Sequence, residues 1–581
     1  MSKSDPSTNS LHLGPRQSRP ASPAGARRSS TDWRRIRHWL LILWVGIGFV
    51  ALDGLDVLTR VDTVGVNIDG RSWIERLKQL VFLSPHLLAI AALLACMTMR
   101  RWLALSVLCL LFTLTVIDLS VLLILGHPAS LTHVSMLNSA VGHASDAIEE
   151  HARAIAWAVG LSALYFLPMF VAVVRRRAKG SRRAALVFTG CTALLFTMYL
   201  GLLVSKGEDV LIGFPRGFAY GFGSLGLVIN DAIAELDPQP NLATDGPAAP
   251  LARTIVMVID ESIAYAEMAR MPLDTQGVID YGRAYSAANC SATANYVLRK
   301  GGWRRAESAE RIAVSRIESL FSLARRAGFA TVYVDNQRVL RDPSTKNYID
   351  GTELAAVDHV IESQETRPWR DLRSLAAITA LIGRQGGSLR GRPVFVLINK
   401  AGTHFPYRGS LPPGMATGDR MTDYRRSLAR STQHFMVELS RIVDDRTLIF
   451  YTSDHGQDFA GRNTHCKAGA EISPDEYAVP MMLITHDQAL VERLARSRER
   501  FLNRLTHLEF SESVRNALGY STAGIGSVFK ENDPPLPHAF CGLYGAPTAI
   551  FGVLPRCLPL EAAPDSPLGA ATRGPQHNPG T

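Results

Sequence analysis

The sequence predicts a two-part fold, in which a multi-pass α-helical membrane domain with five spans is followed by an α/β domain. Three observations support this prediction. Apolar runs are concentrated before about residue 205, arginine clusters flank those runs, and β-rich segments alternate with helical patterns after residue 253. A chain of 581 residues is long enough for more than one domain.

The membrane prediction depends on five segments, each apolar over roughly the 17–25 residues that a helix needs to cross a bilayer. They cover residues 38–58, 80–99, 102–126, 154–174 and 184–204. Five such runs exceed what one soluble core needs, which disfavours buried core helices. A cleaved signal peptide is also disfavoured, because a long polar tail precedes the first run and further runs follow it.

The net charge of +10 is explained better by membrane topology than by nucleic-acid binding. The basic clusters flank hydrophobic runs and do not form a stripe interleaved with aromatic residues. They lie at residues 27–37, 100–101 and 175–183, although the loop 59–78 also carries basic residues. Because positively charged loops stay in the cytoplasm, the amino terminus is predicted to be cytoplasmic. An odd number of spans then places the α/β domain in the bacterial periplasm and the chain in the inner membrane.

Composition divides the chain further. We expect a disordered cytoplasmic tail, a five-span domain, an interfacial linker with an amphipathic helix, a periplasmic domain and a second disordered tail. These regions are predicted at residues 1–37, 38–204, 205–252, 253–559 and 560–581.

The α/β prediction rests on short β-rich runs separated by helical patterns such as 315–328, an alternation typical of a mainly parallel sheet covered by helices. The predicted strands are 254–260, 330–335, 393–399, 447–453 and 480–485. Several of them end in polar pairs, namely Asp260 and Glu261, Asp335 and Asn336, Asn399 and Lys400, and Asp454 and His455. Since ligands collect at the carboxyl ends of strands in open α/β sheets, these pairs predict a reactive site along one edge.

Five short motifs follow one another along the chain. They are VMVIDES, NCSATANY (289–296), AGTHFPY (401–407), YTSDHG (451–456) and a later His465. In this order the chain resembles the phosphoethanolamine transferases of the alkaline phosphatase and sulfatase superfamily, over about residues 38–535. The resemblance implies an α/β alkaline-phosphatase-like periplasmic domain behind a five-span membrane part.

The resemblance also implies a metal, usually zinc, with four ligands: Glu261, the nucleophilic Ser291 or Thr293, Asp454 and His455. The residue types agree with this, because carboxylates and an imidazole suit a divalent cation, and zinc is favoured when nitrogen joins oxygen. Asp260 is the neighbouring alternative to Glu261.

The nucleophile lies in CSATA, where Ser291 and Thr293 occupy the two positions that are threonine in the family. Ser291, at the first position, is preferred, and Thr293 stays open. His404 and His465 match family histidines that contact the phosphoryl group or protonate the leaving alkoxide, a role that suits a group titrating near neutral pH. His507 and His538 match no motif and are interpreted as structural.

Three departures mark a divergent member. Gln457 stands where the family usually has Glu, the proline expected after the nucleophile is missing, and the cysteines lie at unfamiliar spacings. Of the seven cysteines, Cys290, Cys466, Cys541 and Cys557 fall in the outer domain, and their pairing cannot be read from sequence.

The predicted function is transfer of phosphoethanolamine from phosphatidylethanolamine to a periplasmic acceptor such as lipid A, a core sugar or another surface glycan. A covalent Ser or Thr intermediate is expected, and nucleic acid is not an expected partner. Phosphoglycerol transfer uses the same site and stays open. A sulfatase is disfavoured because CSATAN lacks the proline and arginine of the usual sulfatase motif. A regulator that has lost catalysis is the remaining alternative.

Overall fold

The computed structural model describes most of the chain, and the predicted tails lie outside the described residues apart from residue 36. The described ranges are 39–53, 73–125, 144–176, 180–206, 214–234, 247–301, 318–340, 349–383, 387–460, 464–466, 473–521 and 525–530, with single-residue gaps at 272, 274, 339, 350, 390 and 443. The isolated residues 36, 129, 134, 137 and 211 and the short strands 304–305, 539–540 and 556–559 complete them.

The amino-terminal part is helical, as predicted. Its long helices are α1 (Trp39–Asp53), α2 (Trp73–Thr98), α3 (Arg101–Leu125), α4 (Ala144–Arg175) and α5 (Arg182–Lys206). Helix α3 packs against α4, and α2 packs against α5. A further helix, α6 (Phe218–Ala234), lies where the amphipathic linker helix was expected.

Three of the described helical segments are long and apolar enough to cross a membrane: Arg101–Ile124, His151–Arg175 and Arg182–Leu202. The apolar segments Trp39–Asp53 and Ser84–Thr98 are shorter, so five crossings stay a prediction. Large apolar side chains point outward from the bundle, and Trp102 and Leu186 are 79% and 73% exposed. A water-soluble bundle would bury such a surface, whereas lipid solvates it, and this part is therefore a membrane domain.

Strand β1 (Thr254–Asp260) occupies the centre of a seven-stranded sheet. The other strands are β2 (Val278–Tyr285), β4 (Ala330–Asp335), β5 (His359–Ile361), β6 (Val394–Asn399), β7 (Thr447–Ser453) and β8 (Ala478–Thr485), in the order β2-β8-β7-β1-β6-β4-β5. The five predicted strands are confirmed. Strands β1, β4, β5, β6 and β7 are parallel, and β8 runs antiparallel to β7.

Strand β2 was missed because its sequence, VIDYGRAY, lacks a regular apolar pattern. Its register against β8 shifts between Asp280 and Arg283, around Gly282 in a left-handed conformation. A second, small sheet has the order β3-β10-β9, formed by β3 (Arg304–Arg305), β9 (Ala539–Phe540) and β10 (Arg556–Pro559).

Helices cover both faces of the large sheet. In chain order they are α7 (Tyr265–Met268), α8 (Ser291–Lys300), α9 (Leu320–Arg326), α10 (Gly351–Leu354), α11 (Arg367–Ile382), α12 (Arg420–Ser427), α13 (Phe435–Ile442), α14 (Gln488–Phe501) and α15 (His507–Ala517). The predicted helix 315–328 begins at Leu320 in the described residues, and the Ser319 hydroxyl caps it by accepting from the Ser322 N–H. Side chains of alternate strand residues form two buried clusters, one on each face of the sheet.

Candidate active site

Two neighbouring strands bring the central carboxylates together. Strands β1 and β7 are parallel and in register, with Asp260 opposite Ser453, so the next residues, Glu261 and Asp454, leave the sheet side by side. The Asp454 N–H donates to the Asp260 carbonyl over 3.0 Å, which continues the pairing one step beyond the strands. The sheet register therefore explains why residues almost 200 positions apart meet at one point.

Glu261, Asp454 and His455 form a compact buried cluster. Each offers one ligand atom, and these atoms lie within 4.8 Å of one another. His455 Nε2 is 3.7 Å from Glu261 Oε1 and 3.6 Å from Asp454 Oδ2. The three residues are at most 2% exposed.

The cluster fits a divalent cation. Asp454 Oδ2 is buried and has no hydrogen-bond partner in the described part of the chain, while Oδ1 accepts from the Ser262 and His455 N–H groups at 3.0 and 2.7 Å. Burial, and then the charge of Asp454, raise the pKa of Glu261 well above its ordinary value. A divalent cation bound between these two carboxylates would offset their mutual repulsion out of water.

His455 presents the correct nitrogen to such a cation. Its Nδ1 lies 2.9 Å from the Gly456 carbonyl oxygen, an acceptor, so Nδ1 carries the proton and donates. Nε2 therefore keeps its lone pair, which is the arrangement found in metal-ligating histidines.

Ser291 lies next to this nitrogen. Its Oγ is 3.2 Å from His455 Nε2, and Ser291 is the first residue of α8. The amino terminus of a helix favours negative charge, which suits a developing alkoxide and a phosphoryl group. Thr293 is buried two residues further into the helix, and no hydrogen bond between its hydroxyl and the cluster occurs among the described residues.

Asp260 is hydrogen-bonded to groups outside the three-residue cluster. Its Oδ2 accepts from Lys400 Nζ at 2.6 Å, from Thr432 at 2.8 Å and from the Tyr451 hydroxyl at 3.1 Å. Its Oδ1 accepts from the Glu261 N–H at 2.9 Å. Asp260 thus anchors the floor of the site, and Glu261 is the carboxylate that faces Asp454 and His455.

The two additional histidines differ in placement. The ring of His465 stacks on that of His455, with centroids 4.4 Å apart, and its Nδ1 contacts Thr464 and Gln457 at 3.0 and 3.3 Å. His404 is half-buried, and its Nδ1 contacts the Phe405 carbonyl.

The segment that carries His404 packs against the end of β1. The Lys400 and Thr403 N–H groups donate to the carbonyls of Ile259 and Glu261 at 3.0 and 3.1 Å. Gly402 has a φ of +53°, and a Cβ atom there would lie 2.6 Å from Asp260 Oδ1 and from Glu261 Cβ. Only glycine allows this close approach.

A disulfide joins two of the motifs. Cys290 bonds to Cys466, and the Cys466 N–H also donates to the Asn289 carbonyl at 2.9 Å. Since Cys290 precedes Ser291 and Cys466 follows His465, the bond holds these two site segments together. Cys96, Cys109 and Cys191, all in the membrane domain, are free thiols.

His507, interpreted from sequence as structural, lies beneath the site. Its Nε2 donates to the Ser453 carbonyl at 3.0 Å and its Nδ1 accepts from the Ala287 N–H at 3.2 Å. Burial lowers the pKa of His507 to about 3, so the imidazole stays neutral. It ties the end of β7 to the segment before α8. The other such residue, His538, lies outside the described residues.

Residues 295–520 match the sulfatase family model. This segment is a sulfatase-like domain. No curated protein matches the chain in sequence.

The structure resembles the integral membrane protein lipooligosaccharide phosphoethanolamine transferase A from Neisseria meningitidis, with a TM-score of 0.53 and 13% identity, over 84% of this chain and 97% of that one. This likeness shows the fold: a helical membrane part followed by an α/β domain. The C-terminal periplasmic domain of EcEptC from Escherichia coli in complex with zinc matches 53% of this chain and 94% of its own length, with 14% identity and a TM-score of 0.42.

Proposed function

We propose that the chain is a zinc-dependent transferase of the bacterial inner membrane that moves phosphoethanolamine from phosphatidylethanolamine to a periplasmic acceptor. The acceptor class is lipid A, a core sugar or another surface glycan. The observation that carries the proposal is the Ser291 hydroxyl, 3.2 Å from a nitrogen of the buried Glu261–Asp454–His455 cluster. The shared fold with a phosphoethanolamine transferase supports it.

Glu261, Asp454, His455 and the Ser291 oxygen would hold the zinc ion. When bound, zinc lowers the pKa of a coordinated hydroxyl and neutralises charge on phosphoryl oxygens. The remaining chemistry belongs to the chain. In the first half-reaction Ser291 Oγ attacks the donor phosphorus, the bond to the diacylglycerol oxygen breaks, and that oxygen takes up a proton. In the second, an acceptor oxygen attacks the same phosphorus and releases Ser291.

His465 and His404 are proposed to exchange protons with the leaving and attacking oxygens. His465 is the better placed of the two, because its ring stacks directly on His455. The Cys290–Cys466 bond links the residue before Ser291 to the residue after His465.

The proposal is tested by incubating the purified protein with phosphatidylethanolamine labelled in the ethanolamine, and measuring label bound covalently to the protein. Wild type should become labelled on Ser291. Ser291→Ala should lose label and acceptor transfer by at least about 1,000-fold, because the attacking oxygen is gone.

Thr293→Ala is the matched control, since it removes a hydroxyl from the same helix and should retain the label. If the label is retained in Ser291→Ala but lost in Thr293→Ala, the nucleophile is Thr293. No label in any variant, with wild type equally inert, would contradict the transferase proposal. Parallel incubation with labelled phosphatidylglycerol tests the phosphoglycerol alternative.

A further inference from the structure

The Glu261 carboxylate is held by donors from two separate segments. The Ser262 hydroxyl donates to Oε1 over 2.7 Å, and the Gln337 side-chain amide donates to Oε2 over 2.7 Å. Ser262 follows β1, whereas Gln337 follows β4, on the far side of β6. The sequence motifs identified Glu261 and gave Gln337 no role.

The two donors leave the two carboxylate oxygens in different positions. Oε1 is the oxygen that faces the cluster, 3.7 Å from His455 Nε2. Oε2 is turned toward Gln337, whose amide also donates to the Lys400 carbonyl over 3.0 Å. The Gln337 amide therefore sits between a carboxylate and a carbonyl, and its two N–H groups are both used.

The chain around Gln337 is itself well fixed. The Asn336 N–H donates to the Asn399 carbonyl at 3.0 Å, and the Asn336 side chain donates to Asp371 at 3.0 Å. Asp371, buried, also accepts from the N–H groups of Ala401 and Gly402 at 2.9 and 3.0 Å. Gln337 thus extends from a rigid junction of two strands toward Glu261.

We propose that Gln337 is a positioning residue that acts through Glu261 to prepare the metal site. By occupying Oε2, its amide stops the carboxylate from rotating and keeps Oε1 directed at the cluster. A neutral amide donor suits this place, because its N–H groups hold an anion and cannot compete as metal ligands. This inference rests on the proposed metal site, and it adds a residue outside the ligand set.

Hydrogen-bond partners of metal ligands typically contribute 10- to 100-fold to metal affinity. Gln337→Met keeps the side-chain length and removes the donor. We expect the zinc dissociation constant of the full chain in detergent, measured by competition with a chromogenic chelator, to rise by about 10- to 100-fold in Gln337→Met. Gln337→Ala should show the same weakening, which covers the case in which methionine disturbs folding.

The matched control is Asn516→Leu. Asn516 also bridges a carboxylate and a carbonyl through its side-chain amide, to Glu512 Oε1 at 3.1 Å and to the Tyr520 carbonyl at 2.6 Å, but within and just after α15. Asn516→Leu should leave the zinc dissociation constant unchanged, although it removes the same type of hydrogen bond.

A double-mutant cycle separates positioning from a general structural role. In a Glu261→Ala background, Gln337→Met should cause no further loss of zinc affinity, because the carboxylate through which it acts is absent. Equal zinc affinity of wild type and Gln337→Met, or an undiminished effect in the Glu261→Ala background, would overturn the inference. Absence of zinc binding by wild type would instead contradict the metal site of the proposed function.

Discussion

The membrane domain and the outer domain each bury a pair of carboxylates, and the two pairs differ in the positively charged side chain beside them. In the membrane domain Arg216 lies between two aspartates, with Nε 3.4 Å from Asp53 Oδ1 and Nη1 3.8 Å from Asp118 Oδ1. The Arg216 and Gly217 N–H groups also donate to these aspartates, at 3.2 and 3.3 Å. These three charged residues are at most 7% exposed.

In the outer domain, Glu261 and Asp454 face each other with His455, and no lysine or arginine of the described residues pairs with either carboxylate. The nearby Lys400 is paired with Asp260. The membrane cluster contains its own cation, Arg216, and joins the segment before α6 to α1 and α3. The outer cluster has the donor set for the divalent cation of the proposed function.

The largest effect is expected from removing the internal cation. Arg216→Leu removes the guanidinium that lies between the buried Asp53 and Asp118, which should destabilise the membrane domain by about 3–5 kcal/mol. Thermal unfolding in detergent measures this loss. Arg216→Leu combined with Asp53→Asn and Asp118→Asn should recover most of it, because the amide oxygens can still accept from the backbone while no charge remains unpaired. No difference between the single and triple variants would contradict the comparison.

The outer cluster should respond to an external cation. Zinc at 100 times its dissociation constant should stabilise the wild-type outer domain by about 2.7 kcal/mol, since the ion binds only the folded state. Asp454→Asn should abolish this stabilisation without a comparable loss in the metal-free protein, because the introduced amide oxygen can still accept from the two backbone N–H groups and the repulsion with Glu261 disappears. Differential scanning calorimetry measures the stabilisation by zinc when run without a chelator, and the stability of the metal-free protein when run with one. A metal-free Asp454→Asn variant as damaged as Arg216→Leu would show that the two clusters are alike.

The smallest effect concerns His507, a neutral buried group under the site. Its folded-state pKa of about 3 lies below the ordinary value of 6.5, because burial disfavours the charged imidazolium. The unfolded state therefore binds the proton first, and stability that is present above about pH 6.5 is lost as the pH falls toward 3. The loss between pH 7 and pH 5.5 should be about 1 kcal/mol. In His507→Gln the pH dependence of the unfolding midpoint should be shallower, and identical slopes in the two proteins would contradict the assignment.

Much of the fold could be predicted because its signals are local. Apolar runs of bilayer length and β-rich runs ending in polar pairs depend only on neighbouring residues, and the helices and five strands appear where they were expected. Strand β2 could not be predicted in this way, because its bulge at Gly282 interrupts the alternation of apolar residues. Its place at the edge follows from antiparallel pairing with β8, a contact between segments about 200 residues apart.

By itself, the sequence determined which chemistry is available: carboxylates, an imidazole and a hydroxyl at the carboxyl ends of strands and at a helix start. Only the tertiary structure decided how those groups are arranged. The register of β1 with β7 turned Glu261 toward Asp454, while Lys400 held Asp260 away, and Cys290 met Cys466. Gln337 carries no motif signal for its contact with Glu261. The physical reason is that these contacts join residues far apart in the chain, and their geometry is set by strand pairing and burial, which local sequence does not encode.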